Sequence, residues 1–381
     1  MEAHTTSARS SLISLQPRVA VEALVTAILK IDPTGTVLTS THLATVKLAY
    51  ETESLDAVLR LIKIETLNFP RPTGGDLRPL CDPDLEPSYY VSQSLGLTGK
   101  LKHDAVLEYE LLSGLIFTSK RDWAGAMDSF ERAVTHPVKD KAVSKIMVEA
   151  YKKWVLAGVL RTGRPPTLPS FTSPAAKNSY SLIADPYTQL ATVFVDKDPA
   201  QLLAEVAANS ELWTEDRNEG LVQEVLSSYQ KWQIIYLRVV YRQVSISKIR
   251  QLTISGITGQ RLPDNVAVLT LVQGMLESGM FRGELSPAEE EGDGEIYLTF
   301  HDDASLITEI DFSSELVKVQ TSIATLARHY KEANERLSST KDYAIHASRE
   351  QKRAEKDGAD ATYDNQAEEE DLMSGVLPSN D

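Results

Sequence analysis

The sequence predicts a mostly α-helical protein: an α-solenoid of tetratricopeptide-like helical hairpins, followed by a winged helix and a long C-terminal helix. Three observations carry this expectation. Apolar residues recur at helical spacing through the first 240 residues, with almost no alternating strand pattern. After Tyr241 the order becomes strand, helix, helix, strand, turn, strand. From about residue 313 a polar helix carries a single apolar seam at heptad spacing.

At roughly 150 residues per domain, 381 residues make two to three folded units. The 54 acidic and 39 basic side chains leave a net charge of −15, which repels polyanions at long range and argues against binding nucleic acid or an anionic membrane. The single cysteine, Cys81, cannot pair within the chain, so the cytoplasm and nucleus are the expected compartments. Residues 1–14 lack the apolar core of a signal peptide. The longest apolar stretch, 19–29, is too short for the ~20 residues of a membrane span.

Taken in order, Val21, Leu24, Val25 and Ile28 share one helical face, Pro33 and Gly35 interrupt it, and Thr39-Ser40 can cap the next helix. A further turn carries Leu55, Val58, Leu59 and Ile62. Between residues 70 and 99, five prolines and four glycines exclude a continuous helix or central strand, so this reads as a long surface loop. Within it, SLGLTGK (94–100) approaches a phosphate-binding loop but has Ser94 in place of the leading glycine and Leu101 in place of the closing hydroxyl. An ordinary turn is expected there.

Gly114, Phe117, Ala126, Phe130 and Ala133 reproduce the small and large alternation of a tetratricopeptide hairpin, although Glu110 occupies the position of the usual tryptophan. Further helices are expected over 141–160, 179–194, 199–208 and 218–241. A strand at 244–246, a helix capped by Ser247, a second helix opened by Pro263, and strands at 281–284 and 295–301 then compose the winged helix. Its expected core is Val266, Leu269, Val272, Leu276, Leu298 and Phe300. The turn 286–294 is acidic. In the last helix Leu316, Val319, Ile323, Leu326, Tyr330, Ala333 and Leu337 step by three and four residues, a seam that some partner must cover.

The chemistry expected of these elements is assembly rather than catalysis. Seven scattered histidines offer no paired-imidazole motif, Cys81 has no neighbouring cation, and no nucleophile elbow or dinucleotide loop occurs, so no catalytic, cofactor or metal residues are assigned. Duplex recognition is disfavoured because residues 240–301 hold five basic and eight acidic side chains, and the second helix has no Lys or Arg.

The helical stack running into a winged helix and a long terminal helix resembles the PCI-domain family. LLSGLIFTSKRDWAGAMDSFERAVTHP, VEAYKKW, GRPPTLPSFTS, GLVQEVLSS and DGEIYLTFHDD, in that order, resemble the third-subunit family of the COP-nine signalosome across roughly residues 100–310. The TISGITGQRLPDN stretch and the acidic SPAEEEGDG turn depart from it. The resemblance implies a non-catalytic scaffold in a complex that removes Nedd8 from cullins, whose zinc isopeptidase is another subunit. It also implies other PCI subunits and helical-bundle partners as neighbours, with cullin-RING ligases reached through the complex. A proteasome-lid or initiation-factor PCI subunit, and a winged-helix regulator, remain the alternatives. The expected organisation is a solenoid over 1–239 with its loop at 70–100, a winged helix over 240–305, a bundle helix over 306–356 and an acidic disordered tail over 357–381.

Overall fold

The computed structural model describes residues 17–70, 87–137, 143–196, 198–287, 295–301 and, except 339 and 342, 309–352. Cys81, positions 288–294 of the acidic turn, and the tail 357–381 lie outside the described residues. Two compact units are present, one running up to Phe300 and one from His301 onward.

The first unit begins with α1 (Pro17–Ile31), α2 (Ser40–Glu51) and α3 (Leu55–Ile62), which bury Val21, Val25, Val46, Val58 and Leu61 against one another. Thr39 caps α2 through a reciprocal pair with His42. The near-miss loop contributes to the same end. Ser40 N donates to Thr98 Oγ1 at 3.1 Å, and Gly99 N donates to Ser40 Oγ at 2.8 Å, so SLGLTGK packs as a turn against α2.

α4 (His103–Ser119) and α5 (Trp123–Val134) form the hairpin whose spacing is visible in the sequence. A Cβ on Gly114 would lie 2.3 Å from the Phe130 ring, and one on Gly125 would lie 2.8 Å from Phe117, so each aromatic ring rests on the other helix's backbone. Glu110, in the position of the missing tryptophan, is buried and accepts a 2.9 Å bond from Arg132 Nε. An ion pair between the helices therefore occupies the site of a large aromatic.

α6 (Lys145–Thr162) is the central helix, with Trp154 fully buried. It ends at Gly163, where φ is +71° and a Cβ would strike Trp232, a left-handed close approach that requires glycine. The helix expected over 179–194 is instead two, α7 (Pro174–Ile183) and α8 (Asp185–Val195), because Pro186 lacks the amide a continuous helix would need. Then come α9 (Pro199–Ala208), α10 (Ser210–Glu215) and α11 (Glu219–Leu237).

α11 serves two cores. Val222, Val225, Leu226 and Tyr229 pack into the solenoid, while Ile234 packs with Val244, Ile249, Val272 and Leu298. The polypeptide at the expected 239/240 boundary therefore runs between two packed regions of one compact unit.

The winged helix comprises β1 (Gln243–Ser245), α12 (Ile246–Leu252), α13 (Asn265–Glu277), β2 (Gly283–Pro287) and β3 (Ile296–Phe300). Its antiparallel sheet has the order β1-β3-β2, with Val244 and Leu285 both opposite Leu298. Two boundaries differ from expectation. Ser245, not Ser247, caps α12 by accepting from Lys248 N, and Asp264, not Pro263, opens α13 by accepting from Ala267 N at 2.7 Å.

The second unit contains α14 (Glu309–Ser338), with helical residues again over 343–352.

Candidate assembly surfaces

In α13, Val268, Val272 and Met275 step by four and three residues and bury one face, while Leu269 and Leu276 are half-buried against the same core. Val266 is a correction to the sequence reading: it is 69% exposed, because the buried face of α13 begins two residues later and its first turn projects to solvent. Leu298 and Phe300 are buried on one face of β3, and the Phe300 ring lies 5.5 Å from that of Phe281. β1 and β2 are the outer strands of this sheet.

The TISGITGQRLPDN connection docks onto the last solenoid helix. A Cβ on Gly256 would stand 2.4 Å from the Leu226 carbonyl oxygen. Gln230 Nε2 donates to Thr253 Oγ1 at 3.0 Å, and Ile254 N donates to Gln233 Oε1 at 2.9 Å. The winged helix is thereby fixed to α11 by one buried and one part-buried polar contact as well as by apolar packing.

The second unit presents the seam. Leu316, Val319, Ile323, Leu326, Tyr330 and Leu337 of α14 are between 51% and 75% exposed, so a contiguous row of large apolar side chains stands in water. Lys318 and Glu315 pair at 2.7 Å on the same helix. A heptad row on an otherwise polar helix can associate with another helix by inserting these side chains between its neighbours.

Other polar groupings are structural in character. His103 Nδ1 and His136 Nε2 meet at 3.2 Å although 33 positions apart, which closes the α4–α5 hairpin; burial and the His103 ring both hold His136 below the usual histidine range. Lys152 Nζ donates to Asp216 Oδ1 at 2.5 Å, the Tyr187 hydroxyl donates to Asp216 Oδ2 at 2.8 Å, and Asn218 Nδ2 donates to that hydroxyl oxygen at 2.7 Å. This network joins α6 and α8 to the turn before α11. Its bonded pairs are 29 to 64 positions apart and follow no local motif, so periodicity could not have found them. Among the described residues, no three His, Cys, Asp or Glu side chains gather as a set able to hold a metal ion.

The family model for the N-terminal helical repeats of COP9 signalosome complex subunit 3 matches residues 5–176. COP9 signalosome complex subunit 3 of Neurospora crassa is 40% identical over 371 residues, covering 94% of this chain and 74% of that protein. The protein of the same name from Emericella nidulans is 31% identical over 258 residues, covering 67% of this chain and 51% of its own length.

Proposed function

The chain belongs to the COP9 signalosome subunit 3 family, and from that premise we propose that it is a non-catalytic scaffold subunit of the complex, which removes Nedd8 from the cullins of cullin-RING ubiquitin ligases. The observation that carries this reading is the exposed seam of α14. Burying one large apolar side chain contributes about 1.5–3 kcal/mol, so Leu316, Val319, Ile323 and Leu326 together favour association by roughly 6–12 kcal/mol before ordering costs. The helix is suited to a bundle with helices of other subunits.

The winged helix offers a second assembly surface. Its outer strands β1 and β2 have main-chain groups on which the sheets of other PCI subunits can extend it. The family relationship favours this complex over the proteasome lid or an initiation factor. The three-charge acidic excess over residues 240–301, from five basic and eight acidic side chains, disfavours a duplex-binding regulator. The catalytic zinc is assigned to another subunit, and the cytoplasm and nucleus to this chain.

The test is recovery of the tagged chain from its host, followed by mass spectrometry and a Nedd8-cleavage assay. Other PCI subunits and cullins are expected to co-purify, and the isolated chain is expected to leave Nedd8-conjugated cullin intact. Recovery with proteasomes or ribosomes instead, or metal-dependent cleavage by the contaminant-free chain, contradicts the reading.

A further inference from the structure

The histidines of this chain follow no paired-imidazole spacing, yet the fold brings two of them together. His103 is the first residue of α4, and His136 stands two positions beyond the end of α5. Closure of the hairpin returns the second ring to the first, so that His103 Nδ1 and His136 Nε2 face each other at 3.2 Å. The ring centroids are 5.5 Å apart and the ring planes are inclined at 68°. His103 is exposed to solvent and His136 is half-buried.

A shared proton is one occupant of the gap between these nitrogens, and a metal ion is another. Zinc holds imidazole nitrogens at about 2.0–2.1 Å, so at the tetrahedral angle two of them stand about 3.3 Å apart. The observed 3.2 Å falls within the roughly 0.2 Å tolerance asked of a metal site. Each neutral ring can carry its proton on the outward nitrogen, His103 Nε2 or His136 Nδ1, which leaves a lone pair on both facing nitrogens. That change of tautomer neither gains nor loses a proton. Burial, and after it the His103 ring, hold His136 below the usual histidine range, which keeps it in the neutral form that ligates. Among the described residues no third His, Cys, Asp or Glu completes a set, so the remaining coordination positions fall to water.

We propose that His103 and His136 form a two-imidazole site for a divalent ion of the zinc class, bound through Nδ1 of the first and Nε2 of the second with water completing the tetrahedron. Imidazole donors suit zinc and its first-row neighbours, whereas magnesium and calcium take oxygen ligands. The bound ion links the start of α4 to the end of α5 across 33 positions of sequence. Its role is structural, as a clip on the hairpin.

The experiment titrates the full chain, free of any histidine tag, with zinc chloride and with magnesium chloride at pH 7. Bound metal is read by equilibrium dialysis and the histidine rings by NMR. Zinc is expected to fill one site at least about tenfold more tightly than magnesium and to shift the His103 and His136 ring signals together. His103→Gln and His136→Gln keep an amide able to hydrogen-bond, yet each should remove this site, and the double variant should lose no more than either alone. Since His103 is exposed, His103→Gln should retain the wild-type circular dichroism and melting temperature, which separates loss of a ligand from loss of the fold. Unchanged zinc affinity in His103→Gln, a shift confined to one of the two rings, or magnesium bound as tightly as zinc each overturns the proposal. The site lies within one hairpin, so its failure would leave membership of the complex untouched.

Discussion

His42 is 1% exposed at the start of α2, and its Nδ1 accepts from Thr39 N at 3.2 Å, a bond that only the neutral ring can make. Burial depresses its pKa to about 4, with the nearby Asp32 charge opposing the shift. The unfolded chain, with an ordinary histidine near 6.5, takes up the proton first as pH falls. Stability from this residue is therefore complete above about pH 6.5 and is lost as pH falls toward 4. Between pH 7 and pH 5 the loss should be about 2 kcal/mol. Denaturant unfolding at the two pH values checks this: in His42→Gln the difference should shrink by that amount, and an unchanged difference would mean that His42 is not the titrating group. Gly114 and Phe130 were legible in the sequence because a tetratricopeptide hairpin repeats at fixed spacing. The consequence of His42's position was not, because burial is a property of the fold and not of its neighbours in sequence.

Among the elements, β3 makes the sharpest case. Leu298 is fully buried, faces Val244 on one side and Leu285 on the other, and lies at the centre of the winged-helix core. Leu298→Asp places an unpaired charge there and should abolish the module's cooperative unfolding. The solenoid core centred on α6 should persist, since Leu298 packs with the other cluster. Calorimetry and limited proteolysis check this outcome; an unaltered transition would show that the strand register is wrong. The alternation of Ile296, Leu298 and Phe300 made the strand readable. Val266 was misread because α13 is apolar through most of its length, so the sequence did not show where its buried face begins. The docking of Gly256 onto Leu226 was also invisible, since it joins a loop to a helix about thirty positions earlier.

At the scale of the whole molecule, the order of elements was legible because each helical pair buries its face against its neighbours, leaving a local trace in the sequence. Neighbours in other subunits leave no trace except an unexplained apolar surface, and the α14 seam is such a surface. The decisive measurement is co-purification of Ile323→Asp/Leu326→Asp with the other subunits, alongside light scattering of the wild-type chain alone. The seam predicts loss of the double variant from the complex, with the solenoid and winged helix still folded by calorimetry, and a monomeric wild-type chain. Normal incorporation of the variant, or a stable wild-type homodimer broken by the same substitutions, would contradict the bundle assignment.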